Sequence, residues 1–100
     1  MAGVPVRAVG MAWFRRDDYD RLRNTVFEDG DRLHGSFEDW FKAAKNGESR
    51  LSSQGHIVER VYIDPDEFPE WCAAHSLNVD AKGRIAFANF IVAQKYGQTH

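Results

Sequence analysis

The chain has one cysteine, Cys72, among 100 residues. No internal disulfide can form, and a lone free thiol suits a reducing, cytoplasmic compartment. Charge of one sign is also scarce. Lys and Arg total 13 against 15 Asp and Glu, a formal net charge of −2. That balance argues against a basic field of the kind that holds nucleic acid or an anionic membrane surface. Long apolar runs are missing: the uncharged stretch Ile85–Gln94 is far too short to span a bilayer. Arg7 interrupts the apolar N-terminus and Arg15-Arg16-Asp17-Asp18 follows, which spoils the pattern of a secretory leader. Repeats, low-complexity tracts and interdomain linkers are absent as well.

What remains is enough for a core. With 43% hydrophobic residues and 13% aromatic, one domain of this length packs without metal or disulfide staples. Residues 1–10 read as a flexible N-terminal extension, with Met11 an alternative start, and residues 11–97 as a single α+β domain. Val6–Phe14 reads as a strand with Val9, Met11 and Trp13 on one face and Ala8, Gly10, Ala12 and Phe14 on the other. Both faces are apolar or small, so both need covering. Gly10 marks close approach of another backbone.

A helix is expected from Asp17 or Asp18 to about Phe27, ended by Gly30, with Tyr19, Leu22 and Val26 in its apolar stripe. Ser36 with Asp39 caps a second, carrying Phe37, Trp40, Phe41 and Ala44 inward; Asn46-Gly47 either ends it or weakens it. Ile57–Ile63 is the second strand, with one core face. Asp64 is placed to cap a third helix, with Pro65 in its first position and Glu67 completing a capping box. Pro69 inside that helix is awkward, and a start at Pro69 is the alternative. A fourth helix runs from about Asp80 to Tyr96, stopped by Gly97, and its apolar set exceeds one stripe. The order is β-α-α-β-α-α. Forty-one residues separate Phe14 from His56, room for a two-helix crossover joining parallel strands.

The motifs W-F-R-R-D-D-Y at residues 13–19 and I-D-P-D-E-F at 63–68, followed by W-C at 71–72, resemble those of a group of short uncharacterised proteobacterial proteins. The resemblance spans residues 11 to about 90. It implies a stand-alone bacterial protein and assigns no activity, cofactor or site residue.

Chemistry-bearing clusters are few. Cys72 and His75 form C-x-x-H, but neither His34, His56 nor His100 supplies the second close pair of a zinc site. Cys72 falls on the Phe68, Trp71, Cys72, His75 stripe expected to face the core, with Glu67 and Glu70 nearby, a poor setting for a reactive thiolate. Glu28-Asp29-Gly30-Asp31 lacks the ligand alternation of a calcium loop. No metal, cofactor or catalytic residue is expected.

The constellation of most interest follows from parallel strands, whose carboxyl ends open on one edge. There the expected binding residues are Trp13, Arg15, Arg16, Asp64 and Asp66. Helix N-termini and arginines favour anions. The bland alternative is that arginines and aspartates pair across the junction. Trp13-Phe14-Arg15-Arg16 also mixes rings with guanidinium groups, as nucleic-acid surfaces do, but three aspartates in the next four residues cancel that charge.

The expected function is therefore a non-catalytic interaction or regulatory module. The rivals are a small anion or metabolite binder or enzyme at the strand ends and, behind it, a nucleic-acid accessory protein. A homodimer is expected, with two first strands pairing in the order 2-1-1′-2′ to make a four-stranded sheet.

Overall fold

Six elements carry the fold in a computed structural model that describes residues 8–96: β1 (Ala8–Trp13), α1 (Arg16–Arg21), α2 (Phe37–Ser53), β2 (Ile57–Tyr62), α3 (Glu67–Ala74) and α4 (Ala81–Lys95). Residues 1–7 of the expected extension, and Gly97 as a helix stop, lie outside the described residues. Residues 8–10, also assigned to that extension, instead belong to β1. The strands form a two-stranded parallel sheet in which Ala8 faces Ile57 and Trp13 faces Tyr62. Ile63 extends the ladder by donating its N–H to the Trp13 carbonyl at 2.9 Å.

The alternation of β1 assigns its faces. Met11 and Trp13 point toward α2, where Trp13 meets Trp40 edge-on at 5.2 Å and Phe41 at 6.0 Å. Gly10 points toward α4: a β-carbon there would lie 2.6 Å from the Ala88 carbonyl oxygen. The glycine lets the helix backbone rest on the strand, and Ala88, Val92 and Val61 close a small buried cluster beside it. Both faces of β1 are thus covered within the chain.

The main core lies at the carboxyl ends of the strands. Phe14 packs against Trp40 at 4.7 Å and Phe27 at 5.4 Å, Phe27 meets Phe68 at 6.0 Å, and Phe68 meets Phe87 at 5.6 Å. This relay of rings joins the end of β1 to α2, α3 and α4. Each fully buried side chain of the Leu22, Ile63 or Phe68 kind contributes about 1.5–3 kcal/mol.

Three helices differ from their expected outlines. α1 gives way to one turn of π-helix over Leu22–Val26, and Phe27 is already extended, its N–H reaching back to the Leu22 carbonyl. The wider turn ends the helix before Gly30. That glycine instead opens a short 3₁₀ turn, so close to Arg23 that no side chain fits. α2 runs unbroken through Asn46-Gly47; a β-carbon on Gly47 would sit 3.3 Å from the Met11 Cε, so this glycine serves helix-to-strand approach.

In the third helix, the Asp64 carboxylate accepts from the N–H groups of Asp66 and Glu67 at 2.7 and 3.0 Å, and Phe68 donates to the Asp64 carbonyl. Asp64 acts as the cap and Pro65 enters the first turn, although regular α-helix begins only at Glu67 and Pro69 is accommodated inside it. The helix ends in a Schellman arrangement: Leu77 donates to Cys72 and Ser76 to Ala73, with Ser76 left-handed at φ 57°. α4 starts as expected, with the Asp80 carboxylate accepting from Gly83 at 3.1 Å.

Candidate functional site

The strand carboxyl ends do converge on one edge, as parallel pairing requires, but the expected site residues are spent on the fold. Trp13 is 2% exposed and belongs to the core, so it cannot line a binding surface. Its partner Arg60 lies over it, with the guanidinium carbon 4.0 Å from the ring centroid, while Glu48 of α2 accepts two hydrogen bonds from the same guanidinium at 2.7 and 2.8 Å. Those bonds pull the Glu48 carboxyl below its ordinary range and push Arg60 further up.

Arg15 leaves β1 exposed and stacks on Tyr62, 4.7 Å from the ring centroid. Arg16 covers Phe37 at 4.5 Å and pairs with Glu38 of α2, not with an aspartate of the junction. Asp66 pairs with Arg21, at 2.5 Å. Asp64 is committed to the helix cap. Its two backbone donors hold its carboxyl below the ordinary value, and Arg15 and Arg21 add a smaller field in the same direction. The structure therefore gathers Arg15, Asp64 and Asp66 at one edge, with Arg16 turned toward α2 and Trp13 withdrawn inside.

Arg21, Glu38 and Tyr62 are partners that the strand-end reading did not name. The alternation that sets Arg60 and Tyr62 on one face of β2 was a usable signal for Tyr62. Nothing local signals Glu38, because its contact with Arg16 depends on how α2 docks. Arg16 pairs with Glu38 and Arg21 with Asp66, while Asp64 lies near Arg15 and Arg21, so most of the positive charge here is already engaged.

The C-x-x-H pair separates on folding. Cys72 is fully buried beside Phe68, whereas His75 projects to solvent with its ring stacked on Trp71, 4.1 Å between centroids. The core stripe of α3 is thus Phe68 and Cys72 with half-buried Trp71. His75 is the residue after α3, and its ring turns onto the outer side of Trp71 and Phe90. Burial raises the Cys72 pKa, as do the nearby carboxylates of Asp80 and Glu28. Among the described residues, no group of three or more His, Cys, Asp or Glu side chains is arranged to hold a metal ion.

The other notable surface is apolar. Ile85 is 62% exposed and Phe90 38%, and Tyr96, just beyond the end of α4, is also exposed, its hydroxyl donating to Glu59 of β2 at 2.6 Å. Phe90 leans on Trp71 at 5.6 Å and on His75 at 5.8 Å, which joins α3 to this patch. The Trp71 indole N–H is shut away from solvent without an acceptor among the described residues. On the inner side of α4, Arg84 forks onto Asp29 with two bonds of 2.9 Å and covers Phe27. No helix among the described residues is long and apolar enough to cross a membrane.

No family model, curated protein or solved structure matches the chain.

Proposed function

We propose that this protein is a small bacterial, cytoplasmic interaction module without catalysis. The observation that carries the reading is the two large apolar side chains that α4 leaves exposed, Ile85 and Phe90, set against a strand edge whose chemistry is already used. Large apolar side chains left in water are what a binding surface for another macromolecule draws on. The strand edge supplies the contrast. Asp64 caps a helix, Asp66 holds Arg21, and Arg16 holds Glu38.

The rival reading, an anion or metabolite held by Arg15 and oriented by Asp64, has one observation in its favour. Arg15 has no carboxylate within salt-bridge distance among the described residues and rests only on Tyr62. That most of the positive charge there is already engaged weighs against it.

A thermal-shift screen with inorganic phosphate, nucleotides, carboxylate metabolites and divalent metals separates the two, because a specific native-state ligand raises the midpoint in a saturable way. The module reading expects no saturable shift from any of them. A saturable shift that disappears in Arg15→Ala overturns it in favour of the binder.

A further inference from the structure

We infer that the outer side of β2, turned away from β1, receives an extended segment of another protein as a third strand, one that alternates carboxylate and apolar side chains. The inference rests on the interaction-module reading and gives it a surface and a class of partner. Ile63 donates its N–H to the Trp13 carbonyl, and Trp13 stands opposite Tyr62. In a parallel pair each residue directs its N–H and C=O to one side, and successive residues alternate. Ile57, Glu59 and Val61 therefore serve the ladder with β1, while Val58, Arg60 and Tyr62 direct theirs outward. None of those outward groups has a hydrogen-bond partner among the described residues, where β2 is an end strand of the sheet. Donors and acceptors recur there about every 6.7 Å, a spacing that another extended backbone matches.

β1 has a free side of the same kind, but α4 rests on that strand at Gly10 and none of its side chains is exposed. β2 differs. Tyr62 is 42% exposed and Ile57 43%, one on each face of the sheet beside the free side.

Charge selects the partner. On the face that meets α2, Arg60 lies over Trp13 and Arg15 over Tyr62. Lys45 stands one turn before Glu48 on the same flank of α2, and its charge helps to lower the Glu48 carboxyl. Among the described residues, Glu48, held by Arg60, is the only carboxylate within salt-bridge distance of any of these three cations. Carboxylates on an added strand come near Arg15 and Lys45 as cross-strand and diagonal neighbours. On the other face, Lys95 and Tyr96 already hold Glu59 and Val61 is buried, so exposed Ile57 calls for an apolar neighbour.

A short blocked peptide alternating Glu and Val, labelled with fluorescein, tests the inference by anisotropy and amide NMR. Saturable binding is expected, with the largest shifts and slowed hydrogen exchange at the N–H groups of Val58, Arg60 and Tyr62. A strand presents only alternate amides to one neighbour, so N-methylating either the Glu or the Val residues should abolish binding while methylating the others spares it. Lys for Glu in the peptide, and Arg15→Ala together with Lys45→Ala in the protein, should each weaken binding about tenfold. Val58→Pro removes an outward N–H without costing a ladder bond and should weaken binding as much, with circular dichroism unchanged. Where that variant does not fold, the two N-methylated peptides still decide. No saturable binding, equal affinity of both N-methylated peptides, or a folded Val58→Pro that binds as wild type does overturns the inference. So does a wild-type dimer in light scattering that Val58→Pro dissolves, because the occupant is then a second copy. Those results leave the interaction-module reading standing. Saturable binding of inorganic phosphate through Arg15 overturns that reading and leaves the peptide result untouched.

Discussion

The Ala88 carbonyl oxygen stands 2.6 Å from the point that a β-carbon on Gly10 would occupy, and a Val92 methyl stands 2.8 Å from it. Backbone cannot yield as a side-chain tip can, so Gly10→Ala must lift α4 off β1. We expect a loss of about 1–3 kcal/mol, the usual range for an overpacked core, read as a lower urea midpoint. Gly47→Ala is the control. Its new methyl meets only the flexible Met11 Cε at 3.3 Å, and alanine gains about 1 kcal/mol of helix propensity over glycine. That variant should be neutral or stabilised.

Asp64→Ala removes the acceptor for two N–H groups at the start of the third helix and should lower the urea midpoint at pH 7. The pH dependence identifies the cause. The folded-state pKa of Asp64 is depressed, so its contribution is fully present above the unfolded Asp value of about 3.9 and is lost as pH falls through the folded value. Wild type and variant should differ most near neutrality and converge in acid. A gap that stays constant down to low pH would show that the ionised cap is not the source.

Cys72 should resist thiol reagents in the folded protein. It is fully buried, and burial with the nearby Asp80 and Glu28 disfavours the thiolate. Labelling is expected to accelerate with urea in step with unfolding. Rapid stoichiometric labelling of native protein, with circular dichroism unchanged, would contradict the burial.

Ser76 ends α3 with φ at 57°, where a side chain is strained and glycine is not. Ser76→Gly should raise stability by about 0.5–1 kcal/mol, the left-handed strain relieved less the added freedom of the unfolded chain. Thermal unfolding of the two proteins gives the comparison. A lower midpoint would mean that the serine contributes something beyond its backbone geometry.

The fold was legible wherever a short-range rule governed it. Alternation in β1 separated the Met11 and Trp13 face from the Gly10 face, and Gly10 did mark a close backbone approach. The Ser36 and Asp64 caps rest on local spacing and chain geometry, and both form. What local rules missed was set by tertiary contact. Gly47 resembles a helix stop until Met11 is known to lie beside it. The π turn at Leu22–Val26 has no separate sequence mark, and it shortens α1 ahead of Phe27. At the strand ends, composition offered arginines and aspartates in equal view. Their pairing depended on α2, which brought Glu38 to Arg16, and on α1, which brought Arg21 to Asp66. Trp13 was misjudged because a ring at a strand end can face either ligand or core, and α2 decides which.

The parallel register also orders events in time. Ala8 meets Ile57 about fifty residues further along the chain, and a pair with this sense has no hairpin from which to zip. During synthesis, Val9 to Trp13 leaves the ribosome with nothing to pair with until residue 62 has followed. The crossover through α1 and α2 must already be folding back by then. The sheet, though it begins the chain, cannot close until β2 has been made, and α4 can cover β1 only later still, so the uncharged first strand stays exposed to other molecules for most of synthesis.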